Sequence, residues 1–419
     1  MRNTLLLRGA AGLAVVGLAA AACSSAGSGG GSGSTKPASG PSHSTSASPA
    51  AAKVTDTAAA QLYAGLDQLL REHVDLTSNL VQVAVTKGPS STAAKQALAV
   101  LGQNTDGLGK AIGSVYGSAA QAKFLTLWRA HIGYFVDYTL GVAGHDQAKV
   151  ATAQKNLAGY TRQFAAFIAS ATKLPAPAVM ADLKGHVSTL ESAINAIVAK
   201  SPAAGKKIEM AAMHMDGTAR VLAGGIVSSK GIPGSVSGAG SSLRAALTGL
   251  LIQHVAATAF VVQTAAANHG SLTAPEVKGA ISALGDNTKQ LGAAFGSIYG
   301  PAAQQKFLKL WNAHIGYFVD YTLGVATHDQ AKVTMAKKNL AGYVTQFSQF
   351  VAGATKLPAA AVAADLTGHV ATLETTINAI LANSPSASAS LMMAENHMAG
   401  TAAVLAQGIA SSMPSKFTT

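Results

Sequence analysis

Twelve histidines carry most of the chemistry open to this chain of 419 residues, which has a single cysteine and only 18 acidic side chains. Neutral imidazole nitrogens ligate copper, zinc, iron or nickel. Ten of the twelve fall into five pairs: His73 with His254, His131 with His314, His145 with His328, His186 with His369, and His214 with His397. His43 and His269 have no counterpart. Thioethers lie near the last pair in sequence, Met210 and Met215 in one case and Met393 and Met398 in the other, and sulfur of this kind tilts the metal toward copper. Asp182 and Asp365, each one helical turn before His186 or His369, are candidates to orient those rings.

The pairing comes from a duplication. The segment from Trp128 to Ala143 recurs almost unchanged from Trp311 to Ala326, an offset of 183 residues (128 to 311). Tyr116-Gly117 matches Tyr299-Gly300 and Lys173-Leu-Pro175 matches Lys356-Leu-Pro358 at that offset. His73 and His254 are only 181 apart, which places a two-residue insertion in the first loop of the second copy. Within each copy the apolar spacing is helical, as in Phe124, Trp128, His131, Phe135, Tyr138 and Val142, and strand alternation is nowhere sustained. Gly, Ser-Pro and Leu-Pro breaks predict six helices in the first copy, over 56–87, 91–117, 118–143, 146–171, 176–200 and 202–227. Ser118 with Gln121, and Thr273 with Glu276, read as capping boxes, and Asp146 and Asp329 as caps beside His145 and His328. Short connections make neighbouring helices antiparallel, so the expected fold is all-α: two tandem homologous up-and-down bundles over 54–228 and 243–413, joined by a Gly/Ser/Pro linker at 229–242.

These elements bring the histidines to one level. His73, His131 and His186 continue apolar stripes, and with His214 each lies within about two residues of its helix midpoint, about 3 Å of rise. Asn104 and Tyr160, with counterparts Asn287 and Tyr343, fall near the same height. The expected site is thus a polar layer across each bundle: His73, His131, His186 and His214 in one copy and His254, His314, His369 and His397 in the other. Asn104, Asn287, Asp182, Asp365, Met215 and Met398 would lie around them. Unpaired polar groups in a dry core cost about 1–3 kcal/mol each, so the layer needs a purpose. Three readings remain open on sequence: a transition metal, copper before zinc or iron; mutual hydrogen bonding that fixes helix register; or a b-type haem between facing histidines. A di-iron carboxylate centre is disfavoured by the lack of Glu-x-x-His pairs.

The N-terminus supplies an address. Residues 1–23 have a positive head and an apolar run of about 14 residues ending at Cys23, too short to span a bilayer and suited to export. Leu18-Ala-Ala-Ala-Ala-Cys23 resembles the lipobox of bacterial lipoproteins, which implies lipidation of Cys23 and an extracytoplasmic, membrane-anchored chain. Residues 24–53, rich in Gly, Ser, Ala, Thr and Pro, read as a disordered tether. Ala245 to Pro275 has no charged residue, but the matching helix of the first copy carries Asp67, Arg71, Glu72 and Asp75, which argues against a span. The net charge of +12 suits anionic envelope polymers or lipid headgroups as partners. Lysines are scattered, which disfavours nucleic acid, and no nucleophile elbow, phosphate-binding loop or His-Glu-x-x-His is present, so binding is expected rather than turnover.

The Trp-x-x-His-Ile-x-x-Phe-x-x-Tyr segment and the closing His397-Met-x-x-Thr-Ala-x-x-Leu-Ala406 resemble a family of exported bacterial repeat proteins loosely labelled copper amine oxidase. The resemblance implies copper at most. It does not bring an oxidase activity, because the Asn-Tyr-Asp/Glu cofactor sequence and the His-x-His pair of that enzyme class are lacking. The reading as a whole is a lipid-anchored envelope protein binding a metal in each repeat, set against an envelope scaffold or adhesion module with structural histidines.

Overall fold

The structure is a computed structural model that describes residues 54–417; the export segment, Cys23, His43 and the expected tether lie outside the described residues. Among the described residues there are twelve α-helices, one short 3-10 turn at Pro414–Lys416 and no strand. The first repeat comprises α1 (Ala58–Lys87), α2 (Thr92–Tyr116), α3 (Ser118–Ala143), α4 (Gln147–Thr172), α5 (Ala176–Val198) and α6 (Ala204–Lys230). The second comprises α7 (Ala239–Ala267), α8 (Pro275–Tyr299), α9 (Pro301–Ala326), α10 (Gln330–Thr355), α11 (Ala359–Leu381) and α12 (Ala387–Ser412). The fold is all-α, as the apolar periodicity requires.

Local chemistry sets most boundaries. Gly117 and Gly300, at φ +87° and +89°, reverse the chain between consecutive helices in a conformation that strains any residue with a Cβ. Asp146 and Asp329 accept hydrogen bonds from the Lys149 and Lys332 amides at 3.0 and 2.9 Å, as caps should. The two expected capping boxes do not form. Gly117 already holds the cap position before Ser118, and the Gln121 side chain lies over Gly113 instead of reaching back; in the second copy Ala274 is the cap and Pro275 occupies the first turn.

Consecutive helices of each repeat pack in a ring, closed by α6 on α1 and by α12 on α7. The repeats meet through these first helices. α1 lies against α7, while α6 reaches α7 and α8 and, reciprocally, α12 reaches α1 and α2. All described residues belong to one compact unit. The Pro202 carbonyl carbon would stand 2.6 Å from a Cβ at Gly279, so only glycine allows α8 to approach the first repeat this closely.

α7 is long and apolar enough to cross a membrane, with a mean hydropathy of 1.8 in its best window, yet 89% of that window is buried inside the molecule. A helix apolar on every side belongs at the centre of a large core. Its partner α1 is buried just as deeply, and Asp67, Arg71, Glu72 and Asp75 on it are all buried. Arg71 is paired with Asp216 of α6 and lies 3.8 Å from Asp67, in space left by Gly249 of α7. Glu72, Asp75 and Glu395 of α12 form a buried acidic group at the seam. Burial pushes Glu72 and Asp75 up to about 7 and Glu395 well above its ordinary value, with Asp75 and Glu72 adding to the effect on Glu395.

Candidate metal centres

Three of the four expected histidines in each repeat come together. α1, α3 and α5, the helices that run the same way in the up-and-down order, contribute His73, His131 and His186; α7, α9 and α11 contribute His254, His314 and His369. One ring nitrogen from each residue of a triad lies within 4.8 Å of the others, and all six side chains are buried. His73 Nε2 and His131 Nε2 are 3.4 Å apart, and His254 Nε2 and His314 Nε2 are 3.3 Å apart. Neither nitrogen of His186 or of His369 has a hydrogen-bonding partner, and Nδ1 of His73 and of His254 is likewise unpartnered.

The surroundings hold these rings neutral. Burial first, and neighbouring imidazoles second, push His73, His186, His314 and His369 down to about 3. The same two causes hold His131 and His254 well below the ordinary imidazole value. At neutral pH every ring therefore presents a lone pair. Two donors 2.0–2.1 Å from a shared tetrahedral ion stand about 3.3–3.4 Å apart, which matches the observed Nε2 pairs, whereas an ordinary hydrogen bond from N–H is nearer to about 2.9–3.0 Å. Each triad can hold a metal ion. The same closeness leaves no space for a porphyrin between His73 and His131.

Aromatic rings fix the donors. Trp128 packs against His73 and His131 with centroids 4.9 and 4.5 Å away, and Tyr160 of α4 stacks on His131 at 4.7 Å and 17°. The second repeat repeats this: Tyr343 stacks on His314 at 4.7 Å and 16°, and Trp311 lies 4.9 Å from His254. Phe135 meets both His131 and His186 edge-on. In the sequence Trp128 and Phe135 are legible only as apolar positions, although they lie three before and four after His131 and so must share its face.

The fourth histidine of each layer leaves it. His214 sits on α6 with a quarter of its side chain exposed, its Nε2 3.0 Å from the Asp182 carbonyl oxygen and 3.6 Å from Asp182 Oδ1. Gly185 makes this possible, since a Cβ there would come within 2.6 Å of the His214 ring. His397 does the same with Asp365 and Gly368. Asp182 and Asp365 thus orient the outer histidines and the hydroxyls of Thr218 and Thr401, and not His186 or His369 as expected. Asn104 donates to the Leu69 carbonyl and to Glu72, and Asn287 to the Leu250 carbonyl, so neither amide holds a ring. Met215 and Met398 are buried in the core, while Met210 and Met393 are exposed and drop out as donors.

His145 and His328 are residues of positive φ next to Asp146 and Asp329 and belong to neither triad. Comparison with known protein families, with characterised proteins and with solved structures found no match. The functional reading therefore rests on the geometry of the two triads.

Proposed function

We propose that the protein binds one transition metal ion in each repeat, through His73, His131 and His186 and through His254, His314 and His369, as a lipid-anchored extracytoplasmic carrier. The observation that carries this is the pair of buried triads of neutral imidazoles, in each of which one nitrogen per ring lies within 4.8 Å of the others and two Nε2 atoms stand 3.3–3.4 Å apart, with both nitrogens of His186 and of His369 unpartnered. A core that keeps such groups without hydrogen-bonding them gives up about 1–3 kcal/mol per group, and metal ligation is the chemistry that recovers it. Charging cost grows with the square of the charge, so a monovalent ion costs about a quarter of a divalent one in a dry, neutral site. Cuprous copper, monovalent and content with three imidazoles, suits the triad better than zinc or ferrous iron.

The outer ring nitrogens favour exchange over permanent residence. Ligating histidines normally donate the second N–H to a carboxylate or carbonyl, and losing that partner costs about 10–100-fold in affinity. His73, His254, His186 and His369 lack such partners. Sequestration or delivery fits a centre of that strength, and so does sensing. Lipidation of Cys23 would hold the carrier at the outer face of the cell membrane, with the basic surface facing anionic envelope polymers.

Elemental analysis of the purified chain after loading with cuprous copper tests the reading, with His131→Ala plus His314→Ala as control. About two ions per chain, lost in the double variant, is the expected result. No bound metal after loading with copper and with zinc would leave a helical scaffold with structural histidines.

A further inference from the structure

The two repeats are not equally closed. In the first, Leu76, Leu80, Val100 and Leu101 form a separate apolar cluster packed under Ile132 beside α3. The matching positions of the second repeat are Ala257, Val261, Ala283 and Leu284, and Val85 is likewise replaced by Ala266. Two of these replacements, Val261 for Leu80 and Ala266 for Val85, remove about three side-chain carbons from one wall, and such losses leave a void where the backbone cannot collapse. A cavity of about 960 Å³ opens there, with Val261, Leu284 and Ile315 in its wall. Its inner end touches His254 of the second triad and its mouth carries Lys87, His269 and His328. Along α7 the distance from His254 to Ala267 is thirteen residues, about 20 Å of rise. The hydroxyls in the wall are already committed: Thr258 donates to the His254 carbonyl and Thr322 to the Phe318 carbonyl. The wall combines Val261, Val262, Ile315 and Phe318 with the amides of Gln82, Gln263 and Asn378, between a basic mouth and His254.

We propose that the second centre, unlike the first, takes a small organic ligand through this cavity: a molecule with an apolar body and one soft donor atom that completes the coordination of the metal at His254, His314 and His369. The ligand part rests on the metal reading above; the unequal access does not. Volume sets the size class, since cavities of about 300–1,000 Å³ hold drug-sized ligands. An open coordination position at one centre and a sealed triad at the other correspond to the general division between reactive or exchanging sites and closed ones.

Two arms test this on the full chain. The first needs no metal. Thr258 and Thr77 are equivalent, each bonded to the carbonyl of its own histidine. In a Cys23→Ser background, Thr258→Cys is expected to react with methyl methanethiosulfonate at least tenfold faster than Thr77→Cys in the native protein. Equal rates would overturn the unequal access. In the second arm, n-butyl isocyanide is titrated into cuprous protein and the C≡N stretch is followed by infrared spectroscopy. One shifted isocyanide band per two bound coppers is expected, and it should vanish in the double variant Val261→Phe, Ala266→Leu, which fills the cavity wall, while both coppers remain. Two isocyanides per chain, or none with both coppers bound, would overturn the ligand assignment. Failure to bind copper at all sinks the metal reading and this ligand class together, whatever the labelling rates show.

Discussion

Replacing His186 and His369 together by leucine separates a ligand from a structural histidine. Both side chains are at most 2% exposed and all four of their ring nitrogens lack partners. Leucine is of similar volume and removes the unsatisfied atoms, so metal-free protein at pH 7.5 should be as stable as the parent or more so. Acid then divides the two. Burial holds both imidazoles at about 3 in the folded chain against an ordinary 6.5. A folded value depressed below the unfolded one gives stability that is present above 6.5 and drains as pH falls toward 3, because only the unfolded chain takes up the protons. Each histidine loses about 1.4 kcal/mol per pH unit over that window, so two histidines at pH 4.5 cost the parent about 5 kcal/mol that the double variant keeps. The carboxylates titrate in both proteins and cancel from the difference. Urea unfolding of metal-free parent and variant at pH 7.5 and 4.5 measures it. A stability difference that stays within about 1 kcal/mol across those two pH values would refute the burial argument, and a loss of more than about 2 kcal/mol at pH 7.5 would show that these rings are structural after all. The variant should also bind no metal.

Two further outcomes follow from the seam between the repeats and from the outer histidines. Burial raises Asp75 to about 7, so the stability tied to its protonated form is full below about 3.9 and is lost as pH rises through 7. Asp75→Asn should therefore gain about 2–4 kcal/mol relative to the parent between pH 4 and pH 8, read by thermal or urea unfolding; a pH-independent effect would mean that a cation already neutralises the seam. Gly185→Ala forces His214 off the Asp182 carbonyl, and a cost of about 1 kcal/mol with metal stoichiometry unchanged is expected. Loss of one ion per chain in that variant would return His214 to the coordination sphere.

The helices and the central triads are largely legible in the amino-acid sequence alone. Duplication doubles every signal: Gly117 with Gly300 and Asp146 with Asp329 mark the same breaks twice, and the expected spans of the first copy depart from the observed ones by three residues at most. His73, His131 and His186 are readable as inward because each continues an apolar stripe on a long helix, and a stripe on a core helix has only one place to go. His214 escapes that logic because its helix carries apolar residues on more than one side: Met210 and Met213 are exposed while Met215 is buried. Periodicity alone does not choose the face.

Sequence by itself determined where the helices run, that there are two copies, and that His73, His131 and His186 face inward, since these depend on contacts within a helix or between chain neighbours. Only the tertiary structure decided that α1 and α7 lie together at the centre, burying Asp67, Arg71, Glu72 and Asp75. It alone revealed that Gly185 admits the ring of His214 and that a cavity with Val261 and Ala266 in its wall opens beside the second triad. The reason is that burial is a property of partners distant in the chain: a charged face is solvated or enclosed according to which helix arrives against it, and no local pattern records that arrival.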